Sequence, residues 1–143
     1  MPKTILDAAE ARSRVRQMLE KNPFVTVATF GTDGYPDVRV LLVAAKDDVD
    51  TIWFATGTES NKIAQLRKNP KAVLYAYDME IMAEFRLFGT VELLSDSAAR
   101  QKIWRDDFLE HFPDGIDSPN MVVLRFQTDH SVYENYVKEM GKF

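Results

Sequence analysis

The sequence contains no cysteine, and this absence removes several kinds of chemistry at once. Without a thiol among its 143 residues, the chain has no disulfide, no cysteine nucleophile and no cysteine-ligated zinc or iron–sulfur centre. Histidine is scarce too: His111 and His130 form neither a His-x-x-x-His nor a His-Glu-x-x-His motif. We therefore predict no metal site.

Long apolar segments and basic clusters are also missing. The longest apolar run, Val40 to Ala45, is far shorter than the ~20 residues of a membrane-spanning helix. The first ten residues lack the apolar stretch of a signal peptide. Lys and Arg, 18 in all, alternate with 22 Asp and Glu, which gives a net charge of -4 and disfavours a nucleic-acid partner. We predict a cytoplasmic protein that binds neither membranes nor nucleic acid.

Two motifs of nucleotide and ester chemistry are absent as well. The six glycines never form Gly-x-Gly-x-x-Gly between a strand and a helix, which argues against a Rossmann dinucleotide site. No Gly-x-Ser-x-Gly elbow occurs, so nothing indicates a serine hydrolase. Because no side chain stands out as a general acid or base, the catalytic residues stay unknown at this stage.

What the sequence does contain is a series of short strand patterns with a few helices between them. Strands rich in branched and aromatic residues are predicted at 24–30, 37–45, 51–56, 72–77, 81–94 and 121–126. Helical spacing predicts helices at 7–21, 60–68 and 98–112. The order predicts one α+β, β-dominated domain over 1–143, a six-stranded barrel with peripheral helices. Gly89 is a plausible bend or bulge, and the apolar run 121–126 predicts a strand covered on both faces.

One segment has the parts of a phosphate site. Thr56 and Ser60 offer hydroxyls, Lys62 offers a cation, and the predicted helix beginning near Ser60 points free backbone N–H groups outward. The alternative is structural: Thr58 or Ser60 caps the helix and Lys62 is solvated. This segment alone leaves both readings open.

Arg39 is the second candidate for binding an anion. It interrupts the apolar strand Val38 to Val43, where a buried or half-buried charge requires an anionic partner. That partner is either a ligand or an acidic side chain of the chain itself, and a guanidinium on the solvent face of the hairpin is a third possibility.

The order and spacing of these pieces resemble the pyridoxamine 5′-phosphate oxidase-like family of FMN-binding split-barrel flavoproteins, particularly its short general-stress-protein branch. Most of the chain takes part in the resemblance. The segments that carry it are Ala28 to Pro36, Arg39 to Leu42, Trp53 to Thr56, Ser60 to Lys62, Leu66 to Pro70, Phe88 to Glu92 and Phe112 to Pro119.

The resemblance implies an antiparallel split barrel that pairs with a second copy and holds FMN at the interface. It implies that Arg39, Ser60 and Lys62 neutralise the FMN phosphate, with the Thr56 hydroxyl beside them. The backbone of Val40, Leu41 and Leu42 is then expected along the isoalloxazine ring. The cofactor-binding set implied by the resemblance is Arg39, Val40, Leu41, Leu42, Thr56, Ser60, Asn61 and Lys62.

Three positions depart from the family pattern. Asn61 stands where the oxidases often carry a second basic residue, which predicts a weaker hold on the phosphate. Glu84 lies near a position where the oxidases use a neutral amide toward the flavin, and we leave it off the site. The residues from Val132 to Phe143 lack the Arg-Leu-x-Pro-like ending of true pyridoxamine phosphate oxidases, so vitamin B6 oxidation is not expected.

The resemblance leaves three functions open. The leading hypothesis is an FMN-dependent oxidoreductase that moves electrons between NADH or NADPH and an unknown acceptor. The second is a non-enzymatic protein that stores or senses flavin in a stress response. The third keeps the barrel and replaces FMN by a deazaflavin or heme, with His111 the one histidine to consider for heme.

Overall fold

The computed structural model describes residues 2–143, and a bent β-sheet makes up most of it. The strands are β1 (Thr4–Ile5), β2 (Phe24–Phe30), β3 (Pro36–Leu42), β4 (Ala45–Asp47), β5 (Thr51–Gly57), β6 (Lys71–Asp78), β7 (Ala83–Leu94), β8 (Met121–Asn135) and β9 (Glu139–Lys142). The helices are α1 (Ala8–Lys21), α2 (Asn61–Lys68), α3 (Ser97–Ile103) and a 3-10 helix (Asp106–Glu110).

The sheet has the α+β split-barrel architecture that the sequence predicts. Its strand order is β1-β9-β8-β7-β6-β2-β3, and β5 pairs with the first half of β8 and with β4. The six long strands pair antiparallel, whereas the short β1 runs parallel to β9, so the whole sheet is mixed. Within the described residues β3 pairs with β2 alone, and β3 and β5 do not pair with each other. Two strand edges therefore face an opening.

Two apolar clusters hold this sheet in place. Inside the barrel, Phe54, Phe85 and Phe126 are at most 2% exposed, and one face of α1 packs on the same cluster. Outside the barrel, Ile103 of α3 and the aromatic rings of Phe108 and Phe112 cover β5 and the start of β8. The first residues of β8 are consequently buried on both faces, which confirms the prediction for 121–126.

Gly89 lies at the predicted irregularity of the long strand. The β7–β8 register shifts between Phe88 and Gly89. A Cβ atom at position 89 would lie 2.1 Å from the backbone oxygen of Gln127, so only glycine allows this close approach of two strands. The bulge lets β7 bend around the barrel.

Two predicted elements were wrong because each is divided in the structure. The strand expected at 37–45 ends at Leu42, because Val43 N–H donates to the Pro23 carbonyl and Ala44 N–H to that of Trp53, which directs the chain into β4. The helix expected at 98–112 ends at Ile103, and Trp104 is extended with φ -63° and ψ 135°. This break allows Phe108 and Phe112 to join Ile103 in one cluster, which a continuous helix would not place on one face.

Two strand bounds and one strand pairing also differ from those expected. β8 continues from Phe126 to Asn135, since pairing with β7 satisfies the backbone of its polar second half. The strand expected from Ile81 begins at Ala83, because Met82 has φ 55° in the preceding turn. The pairing of β1 with β9 was not predicted. It joins only two residues of each strand, which is too few for an alternation of apolar residues to show in the sequence.

Candidate functional site

Lys62 is a buried cation in the first turn of α2. Its residue is only 8% exposed, and no carboxylate lies within ion-pair distance of its Nζ among residues 2–143. Among residues 2–143, the one side-chain hydrogen bond of Lys62 is to the Ser60 hydroxyl. Ser60 occupies the N-cap position but makes no capping hydrogen bond with its side chain. The structural alternative of a capping serine beside a solvated lysine is therefore not what the fold contains.

The electrostatic surroundings of Lys62 are unfavourable for its charge. Burial, followed by the positive charge of Arg39, lowers the pKa of the Lys62 ammonium below its ordinary value. Two cations thus lie near each other at the N-terminus of α2, where the backbone N–H groups add positive potential. Such a place is suited to an anion that neutralises both charges.

Arg39 differs from Lys62 because it has partners within the chain. Its guanidinium donates to Thr29 Oγ1 at 2.7 Å and to Gln65 Oε1 at 3.0 Å, and forms an ion pair with Asp37 at 2.8 Å. A hydrogen bond from Gln65, followed by the charge of Arg39, lowers the pKa of the Asp37 carboxyl. Arg39 points to the inner face of the sheet, since it lies opposite the buried Val27. The sequence left a ligand, an acidic side chain of the chain or solvent as the surroundings of Arg39. The structure contains the second of these, the carboxylate of Asp37.

The opening between β3 and β5 contains a cavity of about 520 Å³. One wall is Val40, Leu41 and Leu42 of β3, and the opposite wall includes Thr56 at the end of β5. The outer edge of β3 is unpaired in the described chain, so its free backbone groups face this space. Four of the eight predicted site residues therefore line one cavity. The two cations lie beside it in the chain, Arg39 on β3 and Lys62 on α2, the helix that follows β5.

Thr56 and Asn61 differ in exposure, and Glu84 lies away from the cavity. Thr56 is 7% exposed, while Asn61, the first residue of α2, is exposed to solvent. Glu84 lies on β7 opposite Tyr77, where it accepts a hydrogen bond of 2.9 Å from the Tyr136 hydroxyl. Glu84 is thus part of a tyrosine-rich patch apart from the cavity wall.

Sequence reasoning missed two groups of residues around the site. The first is Thr29, Asp37 and Gln65, which surround Arg39. Gln65 could have been noticed, because it is a polar residue between the buried Ile63 and Leu66. The second group is Asp107, Glu110 and His111, which line the cavity from the 3-10 helix. No local pattern places that helix opposite β3.

Two kinds of feature are absent from residues 2–143. No helix in this range is long and apolar enough to cross a membrane. No group of three or more histidine, cysteine, aspartate or glutamate residues in the same range is placed to hold a metal ion.

Comparison with known proteins adds family information to this geometry. A family model described as pyridoxamine 5′-phosphate oxidase matches residues 11–133. A pyridoxine/pyridoxamine 5′-phosphate oxidase of Burkholderia vietnamiensis is 41% identical over 71 residues, which are 50% of this chain and 33% of that protein. The chain thus spans about a third of that relative's length.

Solved structures share the fold over nearly the whole chain. A protein related to general stress protein 26, from Clostridium acetobutylicum, has a TM-score of 0.84 and 29% identity, with 94% of each chain covered. A pyridoxamine 5′-phosphate oxidase-related, FMN-binding protein from Nostoc punctiforme has a TM-score of 0.68 and 20% identity, with 94% of this chain and 93% of that chain covered. At 20% identity the second likeness shows the fold alone.

Proposed function

Because the chain belongs to the pyridoxamine 5′-phosphate oxidase family, we propose that it binds FMN, with the phosphate at Lys62 and Ser60 and the ring along the edge of β3. The observation that carries this proposal is the buried, unpaired ammonium of Lys62. A buried charge is costly unless an opposite charge accompanies it. A phosphate dianion supplies that charge, and the α2 N-terminus supplies N–H donors to the same group.

The other predicted residues have supporting roles in this arrangement. Arg39 keeps its partners Asp37, Thr29 and Gln65 and adds positive potential behind the phosphate. Unpaired backbone groups of Val40 to Leu42 can hydrogen-bond the polar edge of the ring, while their neighbours in the cavity exclude water. Asn61, exposed at the start of α2, can contribute only a neutral amide.

Bound FMN would supply two-electron chemistry, and we propose that a reduced nicotinamide is the electron donor. The chain's own contribution is to hold the phosphate, orient the ring and limit water in the cavity. No acid or base among the described residues is assigned to a proton transfer. Oxidation of vitamin B6 is not part of this proposal.

A second copy of the chain is the proposed partner. Val40 lies opposite Thr26, Thr26 opposite Tyr75 and Tyr75 opposite Arg86, so these residues share the outward face of the sheet. On this face Val38 and Val40 are 62% and 61% exposed. The Nε atom of Arg86 is buried there without a hydrogen-bond partner in the described chain. A second copy would cover the apolar side chains and can supply an acceptor for Arg86.

The cofactor is tested on the purified protein. We expect a yellow protein that releases FMN on denaturation, or apoprotein that quenches the fluorescence of added FMN at a ratio of one per chain. A colourless protein that fails to bind added FMN, or a heme absorption band in its place, contradicts the proposal.

The electron donor and the dimer are tested separately. NADH or NADPH should bleach the bound flavin without oxygen, and steady oxidation in excess of bound flavin should follow with an acceptor. If neither nicotinamide reduces the flavin, the oxidoreductase proposal is wrong and a non-enzymatic flavin protein remains. Sedimentation should show a dimer that Val38→Glu dissociates, and a parent protein that sediments as a monomer contradicts the proposed pairing.

A further inference from the structure

The cavity between β3 and β5 has a third wall that the proposed FMN site does not use. This wall is the 3-10 helix with the residue after it, and it places Asp107, Glu110 and His111 along the mouth. Neither lysine nor arginine is among the residues that line the cavity. The mouth therefore differs in charge from the Lys62 end of the site.

The negative charge of the mouth comes mainly from Glu110. Asp107 is partly neutralised, because it forms an ion pair of 3.0 Å with Arg105. Glu110 has neither an ion pair nor a side-chain hydrogen bond among residues 2–143. Its carboxylate is thus available to act on whatever enters the cavity.

The walls behind this mouth are apolar. Phe108 and Phe112 are each 8% exposed and line the cavity together with Val40 and Leu42. The cavity of about 520 Å³, which also holds the proposed flavin ring along β3, lies within the range of roughly 300–1,000 Å³ that is typical of small-molecule sites. Aromatic side chains in such a lining favour a flat molecule.

We propose that this mouth is a binding site for a second, flat molecule that is neutral or positively charged, and that Glu110 selects against phosphate esters and carboxylates. The inference rests on the proposed function, because it places this ligand beside the FMN ring. The two ends of the site then have different preferences. Lys62 binds the phosphate of the cofactor, and Glu110 repels anions at the mouth. The dihydronicotinamide ring of NADH or NADPH is uncharged and can therefore bind in the mouth, while the pyrophosphate of the same molecule stays outside it.

Three probes of nearly equal shape test the charge preference. Benzamidinium, benzamide and benzoate are planar and carry charges of +1, 0 and -1. Each is titrated into the FMN-loaded protein, with flavin absorbance and calorimetry as readouts, and into apoprotein by calorimetry. We expect benzamidinium to bind at least about tenfold more tightly than benzoate, with benzamide between them.

Two matched variants assign that preference to a residue. Glu110→Gln keeps the shape of the side chain and should reduce the ratio of benzamidinium to benzoate affinity about three- to fivefold. Asp106→Asn removes a charge from the same helix outside the cavity lining and should change the ratio less than twofold. Circular dichroism and the affinity for FMN should be unchanged in both.

The outcomes separate this proposal from the one on which it rests. Equal or tighter binding of benzoate, or an unchanged ratio in Glu110→Gln, overturns the charge selection. Binding of the probes to apoprotein only would mean that the flavin fills the cavity, which overturns the second site and leaves the FMN site intact. If FMN fails to bind while apoprotein still prefers benzamidinium, the proposed function is wrong and the pocket's selectivity stands.

Discussion

The middle of β3 and the first turn of α2 each carry one cation, and the two cations have opposite surroundings. Arg39 has four acceptors within the chain, including the Asp37 carboxylate. Lys62 is more deeply buried and has one hydroxyl. Arg39 therefore contributes to the stability of the fold, whereas the buried charge of Lys62 destabilises the fold until an anion neutralises it.

Replacing Lys62 should produce the largest effect on cofactor binding. Lys62→Met removes a charge-assisted contact of roughly 1.5–3 kcal/mol, so the Kd for FMN should rise about ten- to a hundredfold. The apoprotein should become more stable in urea, since a buried charge near Arg39 is gone. Lys68→Met, exposed in the last turn of the same helix, is the control and should change neither quantity. FMN binding equal to that of the parent would show that the phosphate lies elsewhere.

Replacing Arg39 should produce the reverse pattern. Arg39→Met leaves Thr29 and Gln65 short of a donor and Asp37 short of its ion-pair partner, so the free energy of unfolding should fall by about 1–3 kcal/mol. The Kd for FMN should rise only about three- to fivefold, because Arg39 acts at longer range than Lys62. Urea unfolding and FMN titration of the same preparation measure both. A loss of FMN affinity larger than that of Lys62→Met would reverse the assigned roles.

The alkaline pH dependence of FMN affinity should follow Lys62. Its lowered pKa means that the unfolded state binds this proton more tightly, so the contribution of Lys62 to apoprotein stability should rise with pH from the folded-state pKa toward 10.5. Bound phosphate favours the charged form and raises that pKa. The affinity for FMN should therefore be lost as pH rises through the pKa of Lys62 in the complex. In Lys62→Arg, which stays charged, the alkaline loss should disappear; its persistence would implicate another group.

The smallest expected effect is a gain. Asp37→Asn removes the carboxylate that competes for Arg39 and keeps a polar side chain at this half-exposed position. The positive potential at the phosphate should increase, and the Kd for FMN should fall about two- to threefold. A fluorescence titration at low ionic strength resolves a change of this size. A weaker affinity would mean that Asp37 positions Arg39 for the cofactor.

Much of the fold could be predicted from the sequence because its signals are local. Alternation of apolar residues predicted β2 with the observed bounds, and Gly89 indicated the bulge. The break after Ile103 could not be predicted, because it depends on how Phe108 and Phe112 pack against Trp53 and Met121, which are distant in the chain. The second half of β8 was missed for a similar reason: its polar residues become a strand only by pairing with β7.

Some residues of the candidate site could likewise be predicted from the sequence, and others could not. Hydroxyls, a lysine and a helix start could be recognised between Thr56 and Lys62, and Arg39 could be recognised as a charge in an apolar strand. The family resemblance added Asn61 and the backbone of Val40 to Leu42. The 3-10 helix that completes the cavity could not be placed, because nothing near Glu110 in the chain indicates that it faces β3.

The sequence was sufficient to predict the six long strands, the family, and two cations suited to a phosphate. Which of the two cations has partners depends on the folded chain. The acceptors of Arg39 include Gln65, 26 residues further along the chain, and Gln65 itself accepts from Thr29 across 36 residues. Lys62 is deprived of water by the same packing and receives no carboxylate in return. Burial and partnership are properties of the folded neighbourhood, which no local pattern contains.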